Sequence, residues 1–205
     1  MFAVKPLSAF AVLDKAFSPI AAPITLSTSE KLILNTESPK VTVVRQGIIK
    51  IDRTQEELLV SISPAPTIID LPGVHLTGHE IYQITALTPC EIYQLDMAEC
   101  LSLLDKHQLW HEAFDWVSWQ YRVLEQRDVH LIGKSSYSQI RATLQHMSRW
   151  DITLRAKIGV MNYIQQRTHI SRSVIAEVLA ALRAGKYIEM DKGKLISVNR
   201  LPLEY

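Results

Sequence analysis

Residues 168–198, THISRSVIAEVLAALRAGKYIEMDKGKLISV, constrain the fold more than any other stretch of the chain. Ile170, Val174, Ile175, Val178, Leu179 and Leu182 recur at helical spacing and define one apolar face. The opposite face carries Arg172, Ser173, Ala176, Glu177, Ala180 and Arg183, all small, polar or charged. Ser171 stands where an N-cap belongs, its hydroxyl able to accept from an unpaired amide of the first turn. Gly185 follows the last periodic residue and suits a left-handed C-terminal cap. Two short apolar runs follow, Tyr187 to Met190 and Leu195 to Val198, joined by the polar turn Asp191-Lys192-Gly193-Lys194. A helix with one small polar face and a basic-tipped hairpin has the outline of a recognition helix and wing. An ordinary helix and hairpin packed on a domain would share that outline, so the preceding residues must decide.

Charge is divided along the chain. Residues 132–205 hold 12 Lys or Arg against 5 Asp or Glu, a net +7, while residues 1–131 hold 10 against 16, a net −6. The overall net charge of +1 hides this split. It suggests a polyanion-binding half joined to a half with another task. At 205 residues the chain is long enough for two domains, each with its own core. No apolar run reaches the roughly 18 residues that span a bilayer, so no membrane partner is expected. The start, MFAVKPLSAFAVLDKAF, imitates a signal peptide until Asp14 and Lys15 break its apolar run. An amphipathic N-terminal helix is the better reading. Cys90 and Cys100 make no disulfide or metal framework, which points to a reducing cytoplasm.

From Ile24 to Leu95 the chain is a series of short runs rich in Val, Ile and Thr. ITLS (24–27), KLILN (31–35), KVTVVRQGIIKID (40–52), LLVSIS (58–63), TIIDL (67–71), EIYQITAL (80–87) and EIYQLD (91–96) read as strands. Glycines and prolines punctuate them, and several alternate as half-buried antiparallel strands do. The period changes at Asp96, a plausible N-cap for MAECLSLLDKH. Beyond it Trp110, Phe114, Val117, Tyr121 and Leu124 follow a heptad spacing, on a helix of about 33 Å from Leu109 to His130. Such a seam is buried against something, either the chain's own β-domain, since two heptads fall short of the usual three or four, or a partner. Trp116 and Trp119 lie off it and suit packing on the β-domain, which leaves the seam for a second subunit. After the break at 131–136, residues 135–150 read as a helix with Ile140, Leu144 and Met147 inward. A further helix follows Asp151-Ile152-Thr153, with Ile158, Met161 and Ile164 inward and its end near Arg167. Helix, helix, helix and hairpin are the minimum for a winged helix-turn-helix.

In this arrangement the chain resembles the cyclic-AMP receptor protein/FNR-like family of bacterial transcription regulators. VTVVRQGIIKID looks like the family's strand, glycine and strand, and ISRSVIAEVLAALRAGKYIEMDKGKLISV looks like its recognition helix and wing. Among subgroups it looks most like the enterobacterial regulators described as inhibitors of hydrogen-peroxide resistance. The resemblance implies an α+β fold in three segments. Residues 1–95 would form an N-terminal helix and antiparallel β-roll (cupin-like), 96–132 a long dimerisation helix, and 133–205 a C-terminal winged helix-turn-helix. It implies a cytoplasmic homodimer that binds double-stranded DNA, with the dimer interface on Trp110, Phe114, Val117, Tyr121 and Leu124. The DNA-binding residues would be Thr168, His169, Ser171, Arg172, Ser173, Glu177, Lys192 and Lys194. Arg172 and Ser173 would read bases and Thr168, His169, Lys192 and Lys194 would hold phosphates. Ser173 and Glu177 stand where well-known members have a glutamate and a second arginine, so the operator is not inherited. The nucleotide-binding members carry Gly-Glu-Leu and Arg-Ser/Thr-Ala motifs where this chain reads TIIDLPGV and EIYQITAL. Ile81 or Tyr82 takes the place of the phosphate-binding arginine, so no cyclic nucleotide is expected.

Other readings are weaker. His107 and His111 stand four apart, but further metal ligands are not evident and a solvated helix face is the plainer reading. His75 and His79 flank a loop where haem ligation is conceivable, though no cofactor is expected. Cys90 or Cys100 as a redox switch competes with a role as a small buried hydrophobe. Phosphate loops, nucleophile elbows and paired carboxylates are lacking, so an enzyme is not expected. A winged domain that docks protein, or a haem- or redox-sensing module, stands as the alternative. The effector is not legible.

Overall fold

A computed structural model describes residues 4–34, 38–71 and 82–203. Contacts divide the chain into two units, 1–125 and 126–205, with the division inside a long helix and ahead of the break at 131–136.

The first unit opens with α1 (Leu7–Phe17) and continues through eight strands: β1 (Pro23–Leu26), β2 (Lys31–Leu34), β3 (Lys40–Gln46), β4 (Ile48–Arg53), β5 (Leu58–Pro64), β6 (Thr67–Ile69), β7 (Tyr82–Ala86) and β8 (Cys90–Asp96). They form two four-stranded sheets of order β1-β8-β3-β6 and β2-β7-β4-β5, with every pairing antiparallel. The run 40–52 is therefore two strands in different sheets. The chain turns between them at Gly47, φ +96°, where an added Cβ would lie 2.5 Å from the Pro89 carbonyl oxygen and the Cys90 Sγ. Only glycine fits that approach.

Alternation along the strands creates two apolar layers. Leu26, Leu34, Val44, Ile49, Ile84, Ala86 and Ile92 pack together between the sheets. Val41, Val43, Tyr93 and Leu95 point the other way, onto Phe10, Leu13 and Phe17 of α1 and onto the helices after β8. Asp14, which breaks the apolar run of the N-terminal segment, anchors α1. It accepts from Arg45 Nε and Nη2 at 2.9 and 2.8 Å and from the Tyr93 hydroxyl at 2.8 Å. Burial, the bond to Asp14 and its charge together push the Tyr93 phenol well above its ordinary range.

Two helices follow, α2 (Met97–His107) and α3 (Trp110–Leu131). Asp96 takes the N-cap position of α2, but its side chain makes no capping bond; its carboxylate lies 3.8 Å from the Lys40 ammonium instead. Gln108 is left-handed at φ 56°, so His107 ends one helix and His111 lies in the first turn of the next. The two histidines do not share a helix face, and His111 pairs with Asp115 at 3.6 Å. Trp116 is fully buried and donates from Nε1 to the Ile68 carbonyl at 2.9 Å, and Gln120 Nε2 donates to the same oxygen at 2.8 Å. Trp119 packs on Trp116 with ring centroids 5.0 Å apart. The off-seam tryptophans thus dock α3 on β6, as their spacing suggests.

The second unit contains α4 (Ser136–Met147), α5 (Ile152–Lys157), α6 (Val160–Thr168), α7 (Arg172–Ala184) and the hairpin β9 (Ile188–Asp191) with β10 (Lys194–Val198). Ile140, Leu144 and Met147 are fully buried, as expected. The single helix expected after Asp151 is two. Asp151 caps the first through the Thr153 and Leu154 amides, Ile158 is extended, and Gly159 becomes the N-cap of α6. The inward residues are accordingly Leu154, Val160, Tyr163 and Ile164, while Ile158 and Met161 are only half-buried. Tyr163 meets Trp150 edge-on at 4.8 Å, and Trp150 meets His146 at 5.6 Å. Among the described residues, no helix is long and apolar enough to cross a membrane.

Candidate nucleic-acid interface

The face of α7 expected to be polar is the one that solvent meets. Arg172, Ser173, Ala176, Glu177, Ala180 and Arg183 are all exposed, and Ile175, Val178, Leu179 and Leu182 are buried against the unit. Val174, expected inward, is 37% exposed because it lies at the edge of the apolar stripe, and Ile170 is half-buried in the turn ahead of the helix. Ser171 is the N-cap, and its hydroxyl accepts from the Val174 amide at 3.4 Å.

Before α7, Thr168 closes α6 by donating from Oγ1 to the Ile164 carbonyl at 2.7 Å, and its oxygen receives the Ile170 amide at 3.3 Å. His169 is exposed and left-handed at φ 58°. The turn between α6 and α7 therefore has three residues, His169, Ile170 and Ser171. After α7 the left-handed residue is Lys186, φ 57°, and not Gly185, whose φ is −76°. The Lys186 amide donates to the Arg183 carbonyl at 3.0 Å and the Tyr187 amide to the Leu182 carbonyl at 2.9 Å, the paired bonds of a Schellman termination. Glycine at 185 serves packing instead: an added Cβ would lie 2.5 Å from the Tyr187 ring.

The hairpin reverses at Lys192 and Gly193, both at positive φ (46° and 77°), which matches the primed turns of two-residue hairpins. Lys192 is exposed at its tip. Lys194 is half-buried and donates its ammonium to the Lys157 carbonyl at 2.8 Å, at the end of α5. The Val160 amide, in the first turn of α6, donates to the Gly193 carbonyl at 3.0 Å, and Arg155 Nη1 to the Ile196 carbonyl at 3.0 Å. The wing is thus pinned along its length to α5 and α6. A shallow groove lined by Ala180, Arg183, Ala184, Ile188, Glu189 and Met190 runs between α7 and β9.

Arg172 and Ser173 stand together at the start of α7, and Ser173 Oγ lies 3.1 Å from Ser171 Oγ. Glu177 follows one turn on along the same exposed face. Arg172 Nη1 donates to Asn162 Oδ1 at 3.0 Å and to Gln165 Oε1 at 3.2 Å, both on α6. Sequence reasoning missed these two amides. The available signal was their spacing of three on a helix whose other residues Tyr163 and Ile164 turn inward.

His75 and His79, and the stretch around Ile81, lie outside the described residues. Cys90 and Cys100 are free and buried. Burial raises both thiols, Cys100 to about 12. Groups of three or more His, Cys, Asp or Glu that could hold a metal ion are absent among the described residues.

Residues 136–203 match the family described as winged helix-turn-helix DNA binding. Over 204 residues, 98% of each chain, the sequence is 46% identical to the inhibitor of hydrogen peroxide resistance of Escherichia coli K12. The chain belongs to that inhibitor's family. Its fold is shared with the c-di-GMP-responsive global regulator CLP of Xanthomonas campestris, at TM-score 0.74 and 12% identity over 93% of this chain and 100% of that one. It is shared also with a CRP-family transcriptional regulator of Thermus thermophilus, at TM-score 0.62 and 15% identity over 86% and 92%. Residues 136–203 of this member of the hydrogen-peroxide-resistance inhibitor family thus match a winged helix-turn-helix DNA-binding model, on a fold shared with CRP-family regulators.

Proposed function

We propose that this member of the family is a cytoplasmic homodimer that reads duplex DNA through α7, and that its β-roll does not take a cyclic nucleotide. The observation that carries the reading is the exposed face of α7, where Arg172, Ser173 and Glu177 stand clear of the core beside a basic hairpin tip. Arg172 and Ser173 meet base edges, with Glu177 accepting from a cytosine amine or steering an arginine. Thr168, His169, Lys192 and Lys194 lie along the phosphates, Lys194 after leaving the Lys157 carbonyl. Ser171 holds the helix start in place.

The dimer reading rests on α3. Phe114, Tyr121 and Leu124 are 70%, 63% and 51% exposed, and Trp110 is exposed beside a half-buried Val117. So long a row of large apolar groups suits a second copy. We keep residues 1–95, 96–132 and 133–205 as the functional segments. The want of a phosphate-binding arginine at Ile81 or Tyr82 speaks against a nucleotide in the roll. The relative's name ties the family to hydrogen peroxide resistance, and we place this regulator in the same stress response. Buried, raised thiols at Cys90 and Cys100 disfavour those cysteines as its peroxide sensor.

Arg172→Ala tests the reading. It is expected to weaken binding to a duplex selected by the parent protein by roughly 1–3 kcal/mol and to relax preference at one base pair per half-site. Equal binding of selected and random duplex by the parent protein would overturn sequence recognition altogether.

A further inference from the structure

Arg172 can present guanine with either of two edges, and its neighbours on α6 choose between them. Both bonds to α6 leave from Nη1, which carries two hydrogens: one reaches Asn162 Oδ1 at 3.0 Å and the other Gln165 Oε1 at 3.2 Å. Neither bond uses Nε or Nη2. Those two nitrogens carry the parallel N–H pair that matches the O6 and N7 acceptors of guanine. The amide oxygens can accept only, so they hold the guanidinium without competing for its remaining hydrogens.

We propose that Asn162 and Gln165 are specificity-determining positioning residues, a pair of acceptors on α6 that clamps Nη1 of Arg172 and delivers its Nε–Nη2 edge to a guanine. The inference rests on the reading of α7 as the DNA-reading helix. An arginine on an exposed helix start otherwise samples many rotamers, several of which point at a phosphate and carry no sequence information. Held at Nη1, it pairs only with a base whose acceptors meet the fixed edge. The clamp thus acts on discrimination between bases more than on affinity for DNA as such.

The experiment uses the full-length protein and a duplex that the parent protein selects from a random library, together with every single-base variant of it. Asn162→Ala/Gln165→Ala is expected to lose roughly tenfold in discrimination at the base pair read by Arg172. Binding to random duplex, and the salt dependence of that binding, should not change. In an Arg172→Ala background the same two substitutions should change nothing, because residues that act through a shared partner are non-additive. Undiminished discrimination, or a loss of equal size in the Arg172→Ala background, would overturn the proposal. Tighter binding with intact discrimination would also overturn it, by showing that the amides hold the arginine away from DNA. If the parent protein selects no sequence, the underlying reading of α7 fails instead, and the two failures are distinguishable. A midpoint of thermal unfolding unchanged from the parent separates lost positioning from lost folding.

Discussion

At Lys186 a residue with a Cβ sits at φ 57°, a conformation that costs an L-residue about 1 kcal/mol or more, while its exposed side chain makes room for glycine. Lys186→Gly should therefore raise stability by about 0.5 kcal/mol, once the greater freedom of glycine in the unfolded chain is set against the relief. A small rise in the urea midpoint at constant slope would show it; a fall would mean that the strain is absent. His146 gives a pH dependence. Burial, then the charges of Arg167, Arg149 and His130, lowers its pKa from 6.5 to about 4. The folded protein therefore resists a proton that the unfolded chain accepts. Stability is full above pH 6.5 and declines as pH falls from 6.5 towards 4, by at most about 3 kcal/mol. His146→Gln should flatten that part of the curve in denaturation experiments. Neither residue stood out in the sequence. A left-handed lysine follows from where the helix stops, and a depressed histidine from what neighbouring helices pack around it, and local composition records neither.

The two faces of α3 make opposite forecasts. Trp116→Ala removes a fully buried ring and its bond to Ile68, and should cost about 3–5 kcal/mol of stability. Phe114→Asp changes a side chain that is 70% exposed, so it should leave the monomer folded and abolish the dimer in sedimentation velocity. A Phe114→Asp protein that stays dimeric would place the interface elsewhere. The heptad spacing and the two off-seam tryptophans made this helix legible, since periodicity reports directly which residues share a face. The strands were legible for the same reason, their alternation being set by two apolar layers. Breaks were harder to see. Asp151 to Arg167 read as one helix because its apolar spacing survives the interruption at Ile158 and Gly159. By hydrophobicity the run 40–52 reads as one stretch, and only Gly47 within it marks the turn between β3 and β4. In each case a backbone turn decides the outcome, and hydrophobicity does not encode it. The polar face of α7 was readable from its pattern alone, whereas Asn162 and Gln165 join it only through tertiary packing of α6.

For the whole molecule, the contrast of +7 after residue 131 with −6 before it predicts that duplex binding falls steeply with salt. Lys192→Ala, at the exposed hairpin tip, should lower the slope of log affinity against log salt by about 1, measured by fluorescence anisotropy. Lys194→Ala should change that slope less and loosen the hairpin more, because its ammonium already rests on the Lys157 carbonyl. Equal slopes for both variants would remove the distinction between a phosphate contact and a brace. That brace has a wider consequence. Through the bonds from Val160 to Gly193, Lys194 to Lys157 and Arg155 to Ile196, the wing is tied both to α5 and to the first turn of α6, the first helix of the helix-turn-helix. A loose hairpin would have to be ordered each time it met a duplex, at an entropic cost taken from the affinity. If the wing contacts DNA as proposed, that ordering is completed during folding, and the duplex meets a stiff blade set in a handle.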